Sequence, residues 1–271
     1  MAERQEPYRK FHREYSYFRD QWEAFDSNFN RCNLSPGFAA LDVGCGSGAY
    51  SSERLAKYGG HVVAIDIDPK SIDQAKARLQ PNPGADHAAD AACSRIEFRV
   101  HNAESMEFAS CNFDLVVSRG GLRHCTNWQR AFRECVRVLK PHGFLITVEL
   151  LLPAALRPLW KAIDNEQSRD EHYWEFPALM STIQTDTVEV VQMIHEKATR
   201  SVDGFLEPIQ DSREKRSFRG LILAQSEDVR RAINLREELS ASGQRDVVFD
   251  YHLLNVLLTR VEQEQTEVTT L

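Results

Sequence analysis

The amino-acid sequence predicts an α/β protein built on a mostly parallel sheet. Short β-branched runs alternate with amphipathic stretches from Phe38 to Leu151, the order expected when helices cross between parallel strands. A glycine-rich segment, Leu41-Asp42-Val43-Gly44-Cys45-Gly46-Ser47-Gly48, ends the first run and opens a helix. After Leu152 the alternation lapses, and a second, more helical portion is expected.

Residues 8 to 25 carry aromatics at near-helical spacing and read as one or two helices ahead of the sheet. Pro36-Gly37 breaks the chain, and Phe38 to Val43 forms the first strand. Ala49 to Tyr58 reads as a helix and His61 to Ile67 as the second strand. Asp68-Pro69 starts the next helix, with an acid at its cap and proline in its first turn; Ile72, Ala75 and Leu79 form its apolar stripe. Pro81 to Ala92 reads as a surface loop. Arg95 to Val100 and Phe113 to Ser118 are the third and fourth strands. Asn127 to Leu139 is helical, Lys140-Pro141-His142-Gly143 a turn, and Phe144 to Leu151 the fifth strand. Residues 153 to 180, 186 to 200 and 226 to 240 read as helices, and Val247 to Val261 as the last strand. The expected organisation is an N-terminal helical cap (1–35), a cofactor-binding core (36–152), a helical insert covering a substrate together with the remaining sheet elements (153–245), and a last strand with a polar tail (246–271).

With 271 residues the chain can bury one large core and a small accessory layer. No apolar run reaches the roughly 18 residues of a membrane span, and the first ten residues are polar and charged. The six cysteines lack C-x-x-C spacing, which argues against a zinc site and for reduced thiols in a cytoplasm; no metal is expected. A net charge of −7 disfavours a nucleic-acid partner.

The glycine segment reads as a cofactor loop, because a chain without Cβ atoms turns tightly and lets a ligand touch the backbone at a helix N-terminus. Gly44, Gly46 and Ala49 also satisfy the G-x-G-x-x-G/A pattern of a dinucleotide site, and Asp66 lies about 20 residues on, where a ribose-binding acid is expected. Asp42 favours a different cofactor. Its carboxylate at the mouth of the loop would repel a pyrophosphate, whereas S-adenosylmethionine carries an ammonium and a sulfonium and no phosphate.

Four segments in order carry a resemblance: Leu41-Asp-Val-Gly-Cys-Gly-Ser-Gly, Ala64-Ile-Asp-Ile-Asp-Pro, Phe113-Asp-Leu-Val-Val-Ser and Val138-Leu-Lys-Pro-His-Gly. Together they resemble the class I S-adenosylmethionine-dependent methyltransferases, in the small-molecule branch that includes the ubiquinone/menaquinone-type enzymes. The resemblance spans residues 38 to 150. It implies a Rossmann-like, mostly parallel seven-stranded sheet flanked by helices, with added N-terminal helices and a helical insert after strand five. It also implies site roles. Gly44, Cys45, Gly46 and Gly48 would support the methionine part of the cofactor, and Asp42 would fix the loop and the ammonium. Asp66 would take both ribose hydroxyls, and Ile67 would pack on the adenine. Asn102, where relatives usually have Asp, would accept from the adenine amino group, and Ala103 would contact the ring. Ser118 would offer its carbonyl to the ammonium. S-adenosylhomocysteine would be the product.

Ser118-Arg-Gly-Gly-Leu-Arg-His124 departs from the relatives' usual stretch ending Leu-His-His. His124 keeps the last position and is a candidate base, with a structural hydrogen bond as the alternative. Arg119 would face the transferred methyl group. A cation beside a sulfonium is unfavourable unless it pairs with a carboxylate, so Arg119 hints at an acidic or polar substrate; a surface arginine turned away is the other reading. Tyr17, with His12 and Tyr15, is a further candidate from the N-terminal helix. Aromatic stretches on both sides of the core suit an apolar or aromatic small molecule, or simply fill a helical subdomain. The leading expectation is in-line methyl transfer to a small organic acceptor, specialised metabolites included. The alternatives are use of bound S-adenosylmethionine only electrostatically, to promote cyclisation or rearrangement; a non-enzymatic binding protein; and, more weakly, a nucleic-acid or protein methyltransferase. The oligomeric state is left open, with a homodimer allowed.

Overall fold

The computed structural model describes residues 21–80, 93–151, 187–205, 212–239, 243 and 245–261. The chain divides into two compact units, Glu23–Val148 with Ala178–Ile194 and Asn255–Leu271, and Met1–Trp22 with Glu149–Pro177 and His195–Leu254.

The first unit begins with helix α1 (Glu23–Arg31), then β1 (Ala39–Val43), α2 (Tyr50–Lys57), β2 (His61–Asp66), α3 (Pro69–Arg78), β3 (Ile96–Val100), β4 (Phe113–Arg119) and α4 (Trp128–Val138). β5 (Leu139–Leu151) follows directly, and β6 (Val188–Ser201) and β8 (Arg245–Arg260) complete the sheet in the order β3-β2-β1-β4-β5-β8-β6. The pairs β1–β2, β1–β4, β2–β3 and β4–β5 are parallel. The strands from β1 to β5 therefore share one carboxyl edge, with a loop after each. Strand interiors are apolar because both faces are covered: Leu41, Leu115, Val117 and Ile146 are fully buried, each contributing about 1.5–3 kcal/mol.

Two caps form as the sequence implies. Asp68 accepts from the Lys70 amide (3.2 Å) and the Ser71 hydroxyl (2.9 Å), with Pro69 in the first turn, and Asn127 accepts from the Arg130 amide (2.9 Å). Helix α1 is locked to α2: Asp26 accepts from Arg54 through both carboxylate oxygens and from the Tyr58 hydroxyl (2.6 Å), while Phe29 stacks on Tyr58 at 4.4 Å. Its inner face also buries Phe25 and Asn28. At the far side Arg260 donates to the carbonyls of Leu139 and Arg137, and the Thr259 hydroxyl to Gly143, tying the end of β8 to the start of β5.

The second unit contains the rest of β6 and β8, helices α5 (Val202–Phe205), α6 (Ser212–Leu223) and α7 (Glu227–Ala232), and β7 (Arg236–Leu239), antiparallel to β8. Its polar hub is Asp250, 6% exposed, whose carboxylate accepts from Thr199 (2.7 Å), Asn234 (2.9 Å) and Arg236 (2.9 Å) and pairs with Lys197 (3.3 Å).

Several expectations are corrected. Residues 186–200 are not a helix but most of strand β6: exposure alternates along Val188–Thr199, and the β-branched Val188, Val190, Val191 and Ile194 outweigh the polar helix formers among them. Helix 226–240 stops at Ala232, because Asn234 takes a left-handed conformation (φ 48°) and turns the chain into β7. With that short strand the sheet has eight strands among the described residues, where seven were expected. The turn at Lys140–Gly143 lies inside β5, where a register shift against β4 and His142 at φ 59° absorb it. Helix α6 was not anticipated. The expected N-terminal helix before residue 21, the loop 81–92 and the helices of 153–180 lie outside the described residues.

Burial works to raise the Asp250 pKa, but the hydrogen bonds from Asn234, Thr199, Arg236 and Lys197 outweigh it and hold the carboxyl well below the usual carboxylate range. Its stabilisation is present above about pH 4 and is lost as pH falls toward the folded-state value. Asp250→Asn is expected to lower stability by about 1–3 kcal/mol at neutral pH in urea unfolding and to flatten the loss of stability below about pH 4.

Candidate active site at the carboxyl edge

Asp42, the last residue but one of β1, is 2% exposed, its carboxylate accepting from the Ser52 hydroxyl of α2 at 2.5 Å. Burial pushes its pKa up to about 6, while the Ser52 hydrogen bond and the nearby Arg119 guanidinium act in the opposite direction. The loop that follows is tied to the second strand: the Gly44 and Cys45 amides both donate to the Ile65 carbonyl at 2.9 Å. Asp66, at the end of β2, accepts from the Gly46 amide with one oxygen and from the Asp68 amide with the other, each at 2.9 Å. One carboxylate thus braces both the glycine loop and the start of α3.

Gly46 has φ +60°, and a Cβ there would meet nothing within 4 Å, so the loop presents bare backbone to open space. Gly44 is constrained differently: a Cβ there would lie 2.9 Å from the Cα of Gly121, in the loop after β4. Gly48 carries the ring of Tyr50 against it. Cys45 turns toward a small cluster of Ala49, Ala75 and Leu79, and burial raises its thiol pKa well above the ordinary value, so its backbone rather than its sulfur faces the loop.

Ile67, just past Asp66, is 66% exposed, an apolar platform beside the acid. Asn102 and Ala103 lie in the loop after β3, which is pinned by Arg137 to the carbonyls of Met106 and Phe108 (both 2.8 Å) and by Glu134 to the Met106 amide (2.8 Å). The exposed Asn102 accepts from the Glu104 amide at 2.9 Å. Ser118 is fully buried, its hydroxyl accepting from the Leu122 amide at 3.2 Å. The predicted residues on β1, β2, β3 and β4 therefore gather at one edge of the sheet.

Two of the three proposed catalytic groups are described. His124 is exposed at the end of a short 3-10 turn, Leu122–His124. Arg119 ends β4, half-buried, its guanidinium 5.8 Å from the Phe25 ring centroid. Tyr17 lies outside the described residues. Three residues were given no site role by the sequence reading. Gly121 meets the glycine loop, and the Gly120-Gly121 pair was its signal. Arg123, 3% exposed, and Glu149, 1% exposed in β5, are charged groups placed inside; an acid within the apolar run Ile146–Leu151 was the available signal for the latter.

Over residues 41–147 the chain matches a family model described as a methyltransferase domain. The chain is 29% identical over 191 residues to 2-methyl-6-phytyl-1,4-hydroquinone methyltransferase of Synechocystis sp., an alignment covering 70% of this chain and 48% of that protein. It is 32% identical over 130 residues to the ubiquinone/menaquinone biosynthesis C-methyltransferase UbiE of Klebsiella pneumoniae, covering 47% and 48%. The chain thus spans about half the length of the curated relatives it matches. A solved structure from Bacillus halodurans C-125 superposes with a TM-score of 0.62 at 16% identity, covering 88% of this chain and 98% of that one, a likeness of fold. Residues 41–147 resemble the class I, ubiquinone/menaquinone-type enzymes, as the four sequence segments imply.

The glycine loop after β1 and the Gly120-Gly121 turn after β4 meet backbone to backbone. A Cβ on Gly121 would lie 2.5 Å from the Val43 carbonyl and 3.2 Å from the Gly44 Cα. Gly121→Ala is expected to cost about 1–3 kcal/mol in denaturant unfolding, because the obstacle is backbone. Gly46→Ala meets open space, and only its left-handed conformation, worth about 1–2 kcal/mol, opposes it.

Proposed function

We propose that the chain is an S-adenosylmethionine-dependent methyltransferase acting on a small organic acceptor of the quinol type. The observation that carries this reading is the pair of acids, Asp42 and Asp66, around a bare-backbone glycine loop. This donor set suits a cationic, phosphate-free cofactor with a vicinal diol and opposes a pyrophosphate. The names of the quinone-methylating relatives support the acceptor class.

When bound, S-adenosylmethionine supplies a methyl group already activated on a sulfonium. The protein's task is then mainly alignment, which can contribute roughly 7–11 kcal/mol. Gly44, Gly46 and Gly48 hold the methionine part through backbone. Asp42 and the Ser118 carbonyl favour the ammonium. Asp66, whose two oxygens brace the glycine loop and the start of α3, offers the carboxylate that suits the two ribose hydroxyls. Ile67 covers the adenine, with Asn102 and Ala103 at its edge. His124, exposed at the end of its 3-10 turn, is the candidate base where the acceptor must lose a proton. Among the described residues no helix is long and apolar enough to cross a membrane, and the scattered thiols suit a cytoplasmic setting.

Calorimetric titration with S-adenosylmethionine and S-adenosylhomocysteine tests the reading. Binding of both, weakened at least about tenfold by Asp66→Ala, is expected; no binding to either would return the dinucleotide and non-enzymatic readings to the front. A cationic cofactor favours ionised Asp42. Affinity is therefore expected to rise with pH through about 6, the Asp42 pKa, and Asp42→Asn should weaken binding and flatten that rise.

A further inference from the structure

The junction between the glycine loop and α2 is held by contacts that reach it from α3. Ala49, which follows Gly48, takes a left-handed conformation (φ 43°) and caps α2 without a side-chain hydrogen bond. That conformation is unfavourable for a residue with a Cβ, so the surroundings must hold it. Ala49 is fully buried, packed on Ala75 of α3 and on Leu79 at its end. The next residue, Tyr50, lays its ring against Gly48, so closely that a Cβ on that glycine would overlap it. Arg78, in the last turn of α3, places its guanidinium 4.7 Å from the Tyr50 ring centroid, within reach of a cation–ring attraction. Arg78 is itself fixed by Glu53 of α2 at 2.7 Å, and Glu53 also pairs with Lys57 at 2.6 Å. Tyr50 therefore links the last glycine of the loop to a cation on the neighbouring helix. The loop has separate anchors at its two ends: Asp66 holds the Gly46 amide, and Tyr50 with Arg78 holds the Gly48 side.

We propose that Tyr50, steadied by Arg78, is a positioning residue that fixes Gly48 for the amino-acid part of the cofactor. The inference rests on the S-adenosylmethionine reading, in which the glycines hold the methionine part and Asp66 the ribose. A ligand that ends at the sulfur needs Asp66 but not Gly48, whereas one with the full amino-acid chain needs both. The contacts with Gly48 and Arg78 are made by the ring, so phenylalanine supports them as tyrosine does. A small side chain at position 50 leaves Gly48 and the left-handed Ala49 without that support.

The probes are S-adenosylhomocysteine and 5′-methylthioadenosine, which has the same adenine, ribose and thioether sulfur but no amino-acid chain. Both are titrated calorimetrically into the full chain, with urea unfolding of each variant alongside. Tyr50→Ala is expected to weaken S-adenosylhomocysteine about tenfold and to change 5′-methylthioadenosine by less than about twofold. Tyr50→Phe is expected to bind both ligands within about twofold of the wild type. Arg78→Met, at an exposed position, is expected to weaken S-adenosylhomocysteine about threefold and to leave 5′-methylthioadenosine unchanged. Equal losses for the two ligands would make Tyr50 a general support of the fold and overturn the proposal. Unchanged S-adenosylhomocysteine affinity in Tyr50→Ala, or a loss in Tyr50→Phe as large as in Tyr50→Ala, overturns it too. If Tyr50→Ala does not fold, Arg78→Met decides by the same ratio of affinities. A wild type that binds neither ligand removes the cofactor reading and this inference with it. A wild type that binds both, in a ratio that the variants leave untouched, removes this inference alone.

Discussion

The carboxylate of Asp66 is the interaction on which the site depends. One oxygen accepts from Gly46 and the other from Asp68, so a single side chain at the end of β2 sets the glycine loop and the first turn of α3 together. The same loop is held from below by the Ile65 carbonyl, which receives the amides of Gly44 and Cys45. A loop of small residues has large conformational freedom to lose on ordering. Charge-assisted hydrogen bonds from a strand end supply that order without adding side-chain bulk on the ligand side.

The parallel sheet makes this arrangement possible. Because β1, β2, β3 and β4 are aligned, their following loops fall on one edge, and groups far apart in sequence become neighbours. The contact of Gly44 with Gly121 is the tightest example, two backbones meeting where neither has room for a Cβ. Asp42 shows the cost of the design: a carboxyl buried at the end of an apolar strand is held near pKa 6, poised between neutral and charged forms. A group in that range responds to the charge of whatever occupies the loop, and Arg119 and Ser52 bias it toward the anion.

The local signals in the sequence were strong wherever chemistry and geometry coincide along the chain. The strand β1, the glycine loop, Asp66 and the Asp68-Pro69 cap were legible because each depends on residues within a few positions of one another. The strand at 188–201 was not, since its charged and amide side chains suit a helix, and only its place beside β8 at the end of the sheet favours extension. The short β7 was equally hidden, because four residues carry too little pattern to declare a strand without their partner on β8.

The sequence by itself determined the α/β class, the glycine loop and the acids around it, because backbone freedom, capping and charge act over short stretches. Tertiary structure alone decided that Gly121 abuts Gly44, that Asp250 gathers Thr199, Asn234 and Arg236, and that Arg119 rests on Phe25. Each of these joins residues separated by tens of positions. Their proximity follows from how strands are ordered and helices packed, information that no local window of residue types contains.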